Sequence, residues 1–549
     1  MRTDDLWFLV PARLGSKGIP RKALKRLSGQ PLVVHTLEKL SSIAPRTRII
    51  VSTESSEIAD VCRPYAVIHE RPPELADDKI TLDAVAVDVL RSAARGRLPE
   101  IEPAEYLLTI QATCPFLRID TIARCAAALR KGEASSIVTV AVDSHLRWRL
   151  DGDGQAHPLF ETRKNRQELP SEYRETGGVM GSSIANILAT KMRLIEPIEL
   201  VTVEAEEALD LDTPMDWAIA EYLSSAKRVI IRADASYQIG TGHIYRAIAL
   251  AYELGEHRVT IVTRCDHEYR LGVDILAQHP FDVVAVPTED DFLLLLKEEH
   301  PDLTILDVLS SGYDYMRTVI MYSVKVVTLE DFGPGAMLAD VRINDLYHDA
   351  GPRCWTGVNY SIVHPCFEST TRRVEFARAV NKIVVTFGGS DPADLTQLAL
   401  DALDGLSFDG HIDVVLGPGK QTRPVVGQSL PDVTIHAHVE NMALLARDAD
   451  LAITSAGRTV TELMILGIPT VVLCQHARET THTHASMVNG VVNLGLGELV
   501  TQDQLARTIQ YLIDHPDQRR LMHDRALAAV AQRSNRQVAQ AIMGLFQTE

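Results

Sequence analysis

Pro11-Ala12-Arg13-Leu14-Gly15-Ser16-Lys17-Gly18-Ile19-Pro20-Arg21-Lys22 follows at once on the apolar run Leu6-Trp7-Phe8-Leu9-Val10. A short unbroken apolar run that ends in a turn predicts a strand buried on both faces, as in a parallel sheet. Gly15 and Gly18 let the backbone come close to a bound group. Arg13, Lys17, Arg21 and Lys22 place four cations within ten residues. Backbone amides and cations at a strand end form a cradle for a polyphosphate. The spacing is not that of a Walker loop, because the terminal Lys-Ser/Thr is missing. Loss of Lys17 is therefore expected to lower turnover sharply with the fold intact; a Lys17→Ala chain with wild-type product formation would contradict this.

Outward from this stretch, strands are expected at 48–53, 106–111 and 136–142, with helices at 32–40, 82–93 and 119–129 between them. This alternation predicts an α/β domain with a mostly parallel sheet covered on both faces. Residues 205–228 read as its closing helix, which sets a boundary near residue 226. Two further series of strands follow, at 229–233, 258–263, 281–286, 304–308 and 324–329, then at 382–387, 412–416, 433–437, 451–454 and 470–473. They predict two Rossmann-like lobes facing one cleft. The expected domains are 1–225, 226–380 and 381–549, consistent with a 549-residue chain too long for one core.

The net charge of -18, from 73 acidic and 55 basic residues, disfavours broad binding to nucleic acid or an anionic membrane. No run of eighteen apolar residues predicts a spanning helix. The acidic start enters the glycine-rich motif without a leader-like stretch, and the seven scattered cysteines suit a reducing compartment. A cytoplasmic protein is expected.

The motif through Lys22 resembles the start of the acylneuraminate cytidylyltransferases, with Ala23 where that family usually has Asn. The resemblance covers about residues 5–222. A second block, Gln111-Ala112-Thr113-Cys114-Pro115-Phe116-Leu117-Arg118, is similar to the family's Gln-Pro-Thr-Ser-Pro-Leu-Arg. A third, Asn165-Arg166-Gln167-Glu168-Leu169-Pro170 with Tyr173, matches a run near the sugar, where a guanidinium suits a carboxylate. The family's next stretch is replaced by Thr176-Gly177-Gly178-Val179-Met180. The fourth block is Leu209-Asp210-Leu211-Asp212-Thr213-Pro214. At a strand end, carboxylates two apart face the same side and suit a hard cation; the same residues also suit a helix cap before Pro214. The resemblance implies transfer of CMP from CTP to an acidic nine-carbon sugar. It implies Mg2+ at Asp210 and Asp212, and catalytic roles for Arg13 and Lys17. Gly15, Ser16, Arg21, Lys22, Gln111, Arg118, Arg166 and Gln167 are then expected to contact substrate or nucleotide. Relatives often pair through an extended hairpin, which residues 143–174 are long enough to form, so a homo-oligomer is expected.

The second half opens with Arg232-Ala233-Asp234-Ala235-Ser236-Tyr237-Gln238-Ile239-Gly240-Thr241-Gly242-His243-Ile244-Tyr245-Arg246. A strand, a glycine turn and a histidine at a helix start make His243 a candidate general base. The run Gly240 to Arg246 resembles the hydrolase that strips UDP from an amino sugar in pseudaminic acid synthesis. That enzyme has a two-lobed glycosyltransferase-B architecture, and spore-coat polysaccharide proteins are near relatives. The resemblance implies a UDP-sugar, with His243 activating water and Asp234 beside it. Gly242, Gly388, Gly389 and Ser390 are expected near the diphosphate, with Gly457, Thr459 and Glu462 on the nucleotide. Arg458 replaces a common glycine, and Arg478 and Glu479 stand where relatives carry Asn and Gln. His482 and His484 are expected in a polar pocket. The alternatives to hydrolysis are a glycosyltransferase and an inactive nucleotide-sugar-binding module.

Overall fold

Leu6–Pro11 is a strand inside a seven-stranded sheet, and Leu6, Phe8, Leu9 and Val10 are each at most 1% exposed. The sheet order is Ile198–Thr202, Ser136–Asp143, Glu172–Ser183, Tyr106–Ile110, Leu6–Pro11, Ile49–Thr53, Val67–Glu70. All pairings are parallel except the two made by Glu172–Ser183. The computed structural model describes residues 2–547 except 78, 170, 237–238, 349–350, 373–375, 390, 407, 418, 421 and 438. The chain forms two units, Met1–Ser225 and Ala226–Glu549.

In the first unit, helices Leu32–Ser41, Leu82–Ala94 and Ile119–Lys131 cover the sheet, so its strands are apolar on both faces. Leu6–Pro11 has neighbours reached by crossovers in opposite directions, Ile49–Thr53 and Tyr106–Ile110. Such a switch point leaves a crevice beyond the strand ends. The closing helix is shorter than expected, Pro214–Ser225. It is capped reciprocally: Thr213 N donates to Asp216 Oδ2 at 2.7 Å, and Asp216 N donates to Thr213 Oγ1 at 3.2 Å. The cap is thus Thr213 with Asp216, and not the carboxylate of Asp210 or Asp212.

The second unit has two all-parallel sheets. The first runs Asp282–Val286, Arg258–Arg264, Arg228–Ala233, Leu303–Asp307, Lys325–Leu329, Val341–Asn344, Cys354–Thr356. The second runs Val433–His436, His411–Val415, Lys382–Thr386, Leu451–Thr454, Thr470–Cys474, Val491–Leu496. The fold is a Rossmann-like nucleotidyltransferase sheet followed by a two-lobed glycosyltransferase-B-like module. The chain crosses back at its end: Val538, Ala539 and Ile542 of the helix Asn535–Met543 belong to the first lobe's core. A single division at 380/381 misses this return. The seven cysteines are all free thiols, and no helix of the described residues is long and apolar enough to cross a membrane.

Candidate functional site

In the first unit, a cavity of about 250 Å³ lies where the strands Leu6–Pro11, Val67–Glu70 and Tyr106–Ile110 end. Arg13, Gly15, Ser16, Lys22, Gln111 and Asp212 line it. Three contacts hold its loops together. Lys22 Nζ donates to Leu211 O at 2.7 Å and to Asp212 Oδ1 at 3.0 Å. Leu211 N donates to Thr113 O at 2.9 Å. Gly177, at φ 71°, lies against Gln111 and Asp210, because a Cβ there would fall 2.8 Å from Gln111 Nε2 and 3.3 Å from Asp210 Oδ2. Gly18 is equally constrained, since a Cβ would fall 1.9 Å from Asp212 O. The unusual Thr176-Gly177-Gly178 run therefore makes room for two polar side chains of the site.

Asp210 and Asp212 lie in the loop before Pro214–Ser225, not on a strand, so pleat alternation does not bring them together. The loop packs between Lys22 and Gln111 instead. Asp210 Oδ1 is buried without a hydrogen-bond partner. Burial, with Asp212 beside it, raises the Asp210 carboxyl above its ordinary range. A buried, orphaned carboxylate oxygen next to a second, exposed carboxylate fits a hard divalent cation. Among the described residues no group of three or more His, Cys, Asp or Glu side chains is arranged for a metal. Water and phosphate oxygens would complete such a shell.

Other expected contacts fall elsewhere. Arg21, in the left-handed region at φ 53°, turns to Glu57 and is not among the cavity's lining residues. Arg118 begins the helix Ile119–Lys131; its N donates to Glu207 Oε2 at 3.0 Å, and Nε lies 3.7 Å from Oε1. These positions follow from pairing with acids distant in the chain, which motif spacing does not reveal. Lys17 is exposed on the loop. Gln167 is exposed in the 3-10 turn Arg166–Glu168, and the side chain of Arg166 lies outside the described residues. Sequence reasoning missed Arg71, which lines the cavity and is 5% exposed. Its signal was a cation directly after the strand Val67–Glu70, at the same sheet edge as Arg13.

In the second unit, the helix Gly242–Glu253 begins with His243 after the turn at Gly240, φ 79°. His243 Nδ1 lies 2.6 Å from Asp307 Oδ1. A proton on Nδ1 shared with this carboxylate leaves Nε2 as the basic nitrogen. The partner is thus Asp307, the last residue of Leu303–Asp307, and not Asp234. Asp234 is taken by Arg232 at 2.6 and 2.8 Å and by Arg264 N at 2.8 Å. The fully buried Arg232 needs that carboxylate more than the site does. An acid ending a neighbouring strand was the signal for Asp307.

Arg246 also holds Asp307 and reaches Glu330 at 3.3 Å. From the other lobe, Arg458 meets Glu330 Oε1 at 2.8 Å and Asp345 Oδ2 at 3.1 Å. Arg458, where relatives carry glycine, is therefore engaged by two buried acids. A Cβ on Gly389 would lie 3.4 Å from Gly240 Cα, so the glycine turns of the two lobes face each other. Gly388 has φ 74°; Ser390 lies outside the described residues. The adjacent helix start at Leu395 is occupied, because Asp391 accepts from Leu395 N at 2.9 Å and Thr396 N at 3.1 Å.

The departures after residue 474 clamp the glycine loop that leads into Thr459–Leu466. Glu479 accepts from Ala456 N at 3.2 Å and Gln475 N at 2.8 Å. His482 Nδ1 contacts Ala456 O at 2.6 Å, and His484 Nε2 contacts Gly457 O at 3.1 Å. Arg478 donates to the Tyr347 hydroxyl at 2.9 Å. Glu462 follows Thr459 on the helix; burial pushes its carboxyl up to about 7. Such a group stabilises the fold fully below its unfolded pKa, and the contribution is lost as pH rises through about 7. Glu462→Gln is therefore expected to melt close to wild type at pH 4.5 and higher than wild type at pH 8. Equal melting temperatures at pH 8 would contradict this.

The chain matches the cytidylyltransferase family over residues 7–151 and the glycosyltransferase family 28 C-terminal domain over residues 383–542. It is 30% identical over 224 residues to the CMP-N,N'-diacetyllegionaminic acid synthase of Legionella pneumophila, covering 39% of this chain and 94% of that protein. It is 28% identical over 296 residues to the spore coat polysaccharide biosynthesis protein SpsG of Bacillus subtilis, covering 50% of this chain and 86% of that protein. An uncharacterized protein of Methanocaldococcus jannaschii is 30% identical over 274 residues, 45% of this chain; the chain spans only 56% of that protein's length. The glycosyltransferase match overturns the expectation of a hydrolase: the second unit resembles a nucleotide-sugar glycosyltransferase. The glycine–histidine turn in the first lobe could not make this distinction, because hydrolysis and transfer differ in the acceptor and not in the base. With its match over residues 7–151 and its likeness to a synthase whose length it covers almost completely, the chain belongs, through its first unit, to the cytidylyltransferase family.

Proposed function

We propose that the first unit transfers CMP from CTP to the anomeric hydroxyl of an acidic nine-carbon sugar. The carrying observation is the cavity with Arg13, Lys22, Gln111 and Asp212 in its wall and the orphaned Asp210 oxygen beside it. The anomeric oxygen attacks the α-phosphorus, the bond to the β-phosphate oxygen breaks, and pyrophosphate leaves with its electrons; the hydroxyl proton passes to solvent. The glycine loop's amides and Arg13 bind the phosphate oxygens, and Lys22 fixes the Asp212 loop against them. Mg2+ held by Asp210 and Asp212 would supply neutralisation of phosphate charge. The Legionella relative, named for a CMP-linked acidic sugar, supports this substrate class. Incubation with CTP, Mg2+ and a panel of nine-carbon acids is expected to release pyrophosphate with at least one of them; release with none would contradict the proposal.

For the second unit, the match of its second lobe supports transfer of a sugar from a UDP-sugar to a hydroxyl acceptor, with His243 Nε2 taking the acceptor's proton and Asp307 orienting the ring. UDP release that requires an added acceptor is expected; release in water alone would contradict transfer. Free thiols throughout support work in the reducing cytoplasm. A homo-oligomer is supported by the hairpin Trp148–Leu150 and Ala156–Pro158, which leaves Trp148 and Leu150 more than half exposed. Arg166 and Gln167 follow on the same arm and would then serve a partner's cavity.

A further inference from the structure

Behind the first unit's cavity lies a buried polar chain that the cytidylyl-transfer reading does not use. Arg71 reaches the cavity while 5% exposed, and it shares the wall with a second cation, Arg13. Glu54 attracts the Arg71 guanidinium and Arg13 repels it, but neither charge fixes the plane of its fork; that is set from behind. Ser52 does this twice: Arg71 Nη2 donates to Ser52 O at 2.6 Å, and Arg71 Nε donates to Ser52 Oγ at 3.2 Å. Ser52 Oγ lies 3.1 Å from His69 Nδ1, on the neighbouring parallel strand and in register with it. On its far side, His69 Nε2 lies 3.3 Å from Ser92 Oγ and 3.3 Å from Asp88 Oδ2, a buried oxygen with no other hydrogen-bond partner.

The donors and acceptors along this chain can be satisfied in one direction. Arg71 Nε can only donate, so Ser52 Oγ accepts from it and turns its own hydrogen to His69. His69 Nδ1 must then accept, which places the imidazole proton on Nε2, facing Ser92 and Asp88. Burial lowers the proton affinity of the ring and keeps it neutral, as this arrangement requires. Ser52 is fully buried and His69 is 3% exposed, so water cannot replace either partner.

We propose that His69, acting through Ser52, is a positioning residue for Arg71 and fixes the direction in which the guanidinium enters the nucleotide cavity. The inference rests on the cytidylyl-transfer reading of that cavity. A buried polar cluster with a merely structural role would alter stability without reference to Arg71, whereas a relay must lose its effect once Arg71 is gone.

The test is a double-mutant cycle on the full chain, with KM for CTP and kcat read from pyrophosphate release. Ser52→Ala and His69→Leu are each expected to raise KM for CTP ~5–10-fold with kcat little changed, the scale of one misdirected charged hydrogen bond. His69→Asn, whose amide oxygen can stand in for Nδ1, is expected to recover most of the loss. In an Arg71→Met background, Ser52→Ala and His69→Leu are expected to add nothing further. Effects that multiply in that background, or a Ser52→Ala chain with wild-type KM, would overturn the inference. Ser52→Ala removes one oxygen and carries the test alone if His69→Leu does not fold. A wild-type chain that releases no pyrophosphate from CTP would instead refute the reading of the cavity itself.

Discussion

Asp210→Asn is expected to lower pyrophosphate release by about two to three orders of magnitude, the scale seen when one preorganised electrostatic contact to a reacting group is lost. The substitution keeps the size of the side chain and removes its charge. Gly177 leaves room for the carboxylate beside Gln111, and an amide fits the same space, so folding should be unchanged. The Thr113 hydroxyl that bonds the Asp210 carboxyl can donate equally to the amide oxygen of Asn, so a structural role predicts a nearly silent substitution. Steady-state pyrophosphate release at saturating CTP, with melting temperature as control, separates the two. Turnover within a few-fold of wild type would remove Asp210 from the reaction.

The second large effect is on stability. Arg458→Met leaves Glu330 and Asp345, at 6% and 2% exposure, without their shared guanidinium. Breaking a buried ion pair from one side costs about 3–5 kcal/mol. Burial, with Glu330 beside it, already holds the Asp345 carboxyl above the usual range, so below neutral pH a proton can take over part of the role of Arg458. The loss is therefore expected to be smaller at pH 5 than at pH 8. Calorimetry of the full chain should show the second unit's transition move down by several degrees at pH 8 and less at pH 5. An unchanged transition at both would show that the arginine is not needed to balance these acids.

Much of this molecule could be read from its sequence because its strands are buried on both faces. Leu6–Pro11, Arg228–Ala233 and Lys382–Thr386 each centre on three or more consecutive apolar residues with a glycine turn after them, and a parallel sheet leaves those turns at the ligand edge. Glu172–Ser183 was hidden, because Thr176-Gly177-Gly178 breaks the alternation and the pairing register shifts between Glu175 and Met180. Motif residues come together where chain neighbours carry the geometry: Arg13, Lys22 and Gln111 all line the cavity. Those decided by distant partners were not. Asp234 goes to Arg232, Arg21 to Glu57 and Arg118 to Glu207, while Asp307 reaches His243 from 64 residues away. Spacing along a chain reports which residues share a loop; it does not report which acid claims which base. The same limit explains the second unit, whose glycine–histidine turn does not distinguish transfer from hydrolysis.

Titration of CTP into the full chain by calorimetry, with and without Mg2+, bears most directly on the cleft at the end of the first strand. One CTP per chain should bind, more tightly with Mg2+, and Asp210→Asn should abolish the Mg2+-dependent gain. A folded chain that takes up no CTP under either condition would contradict the account.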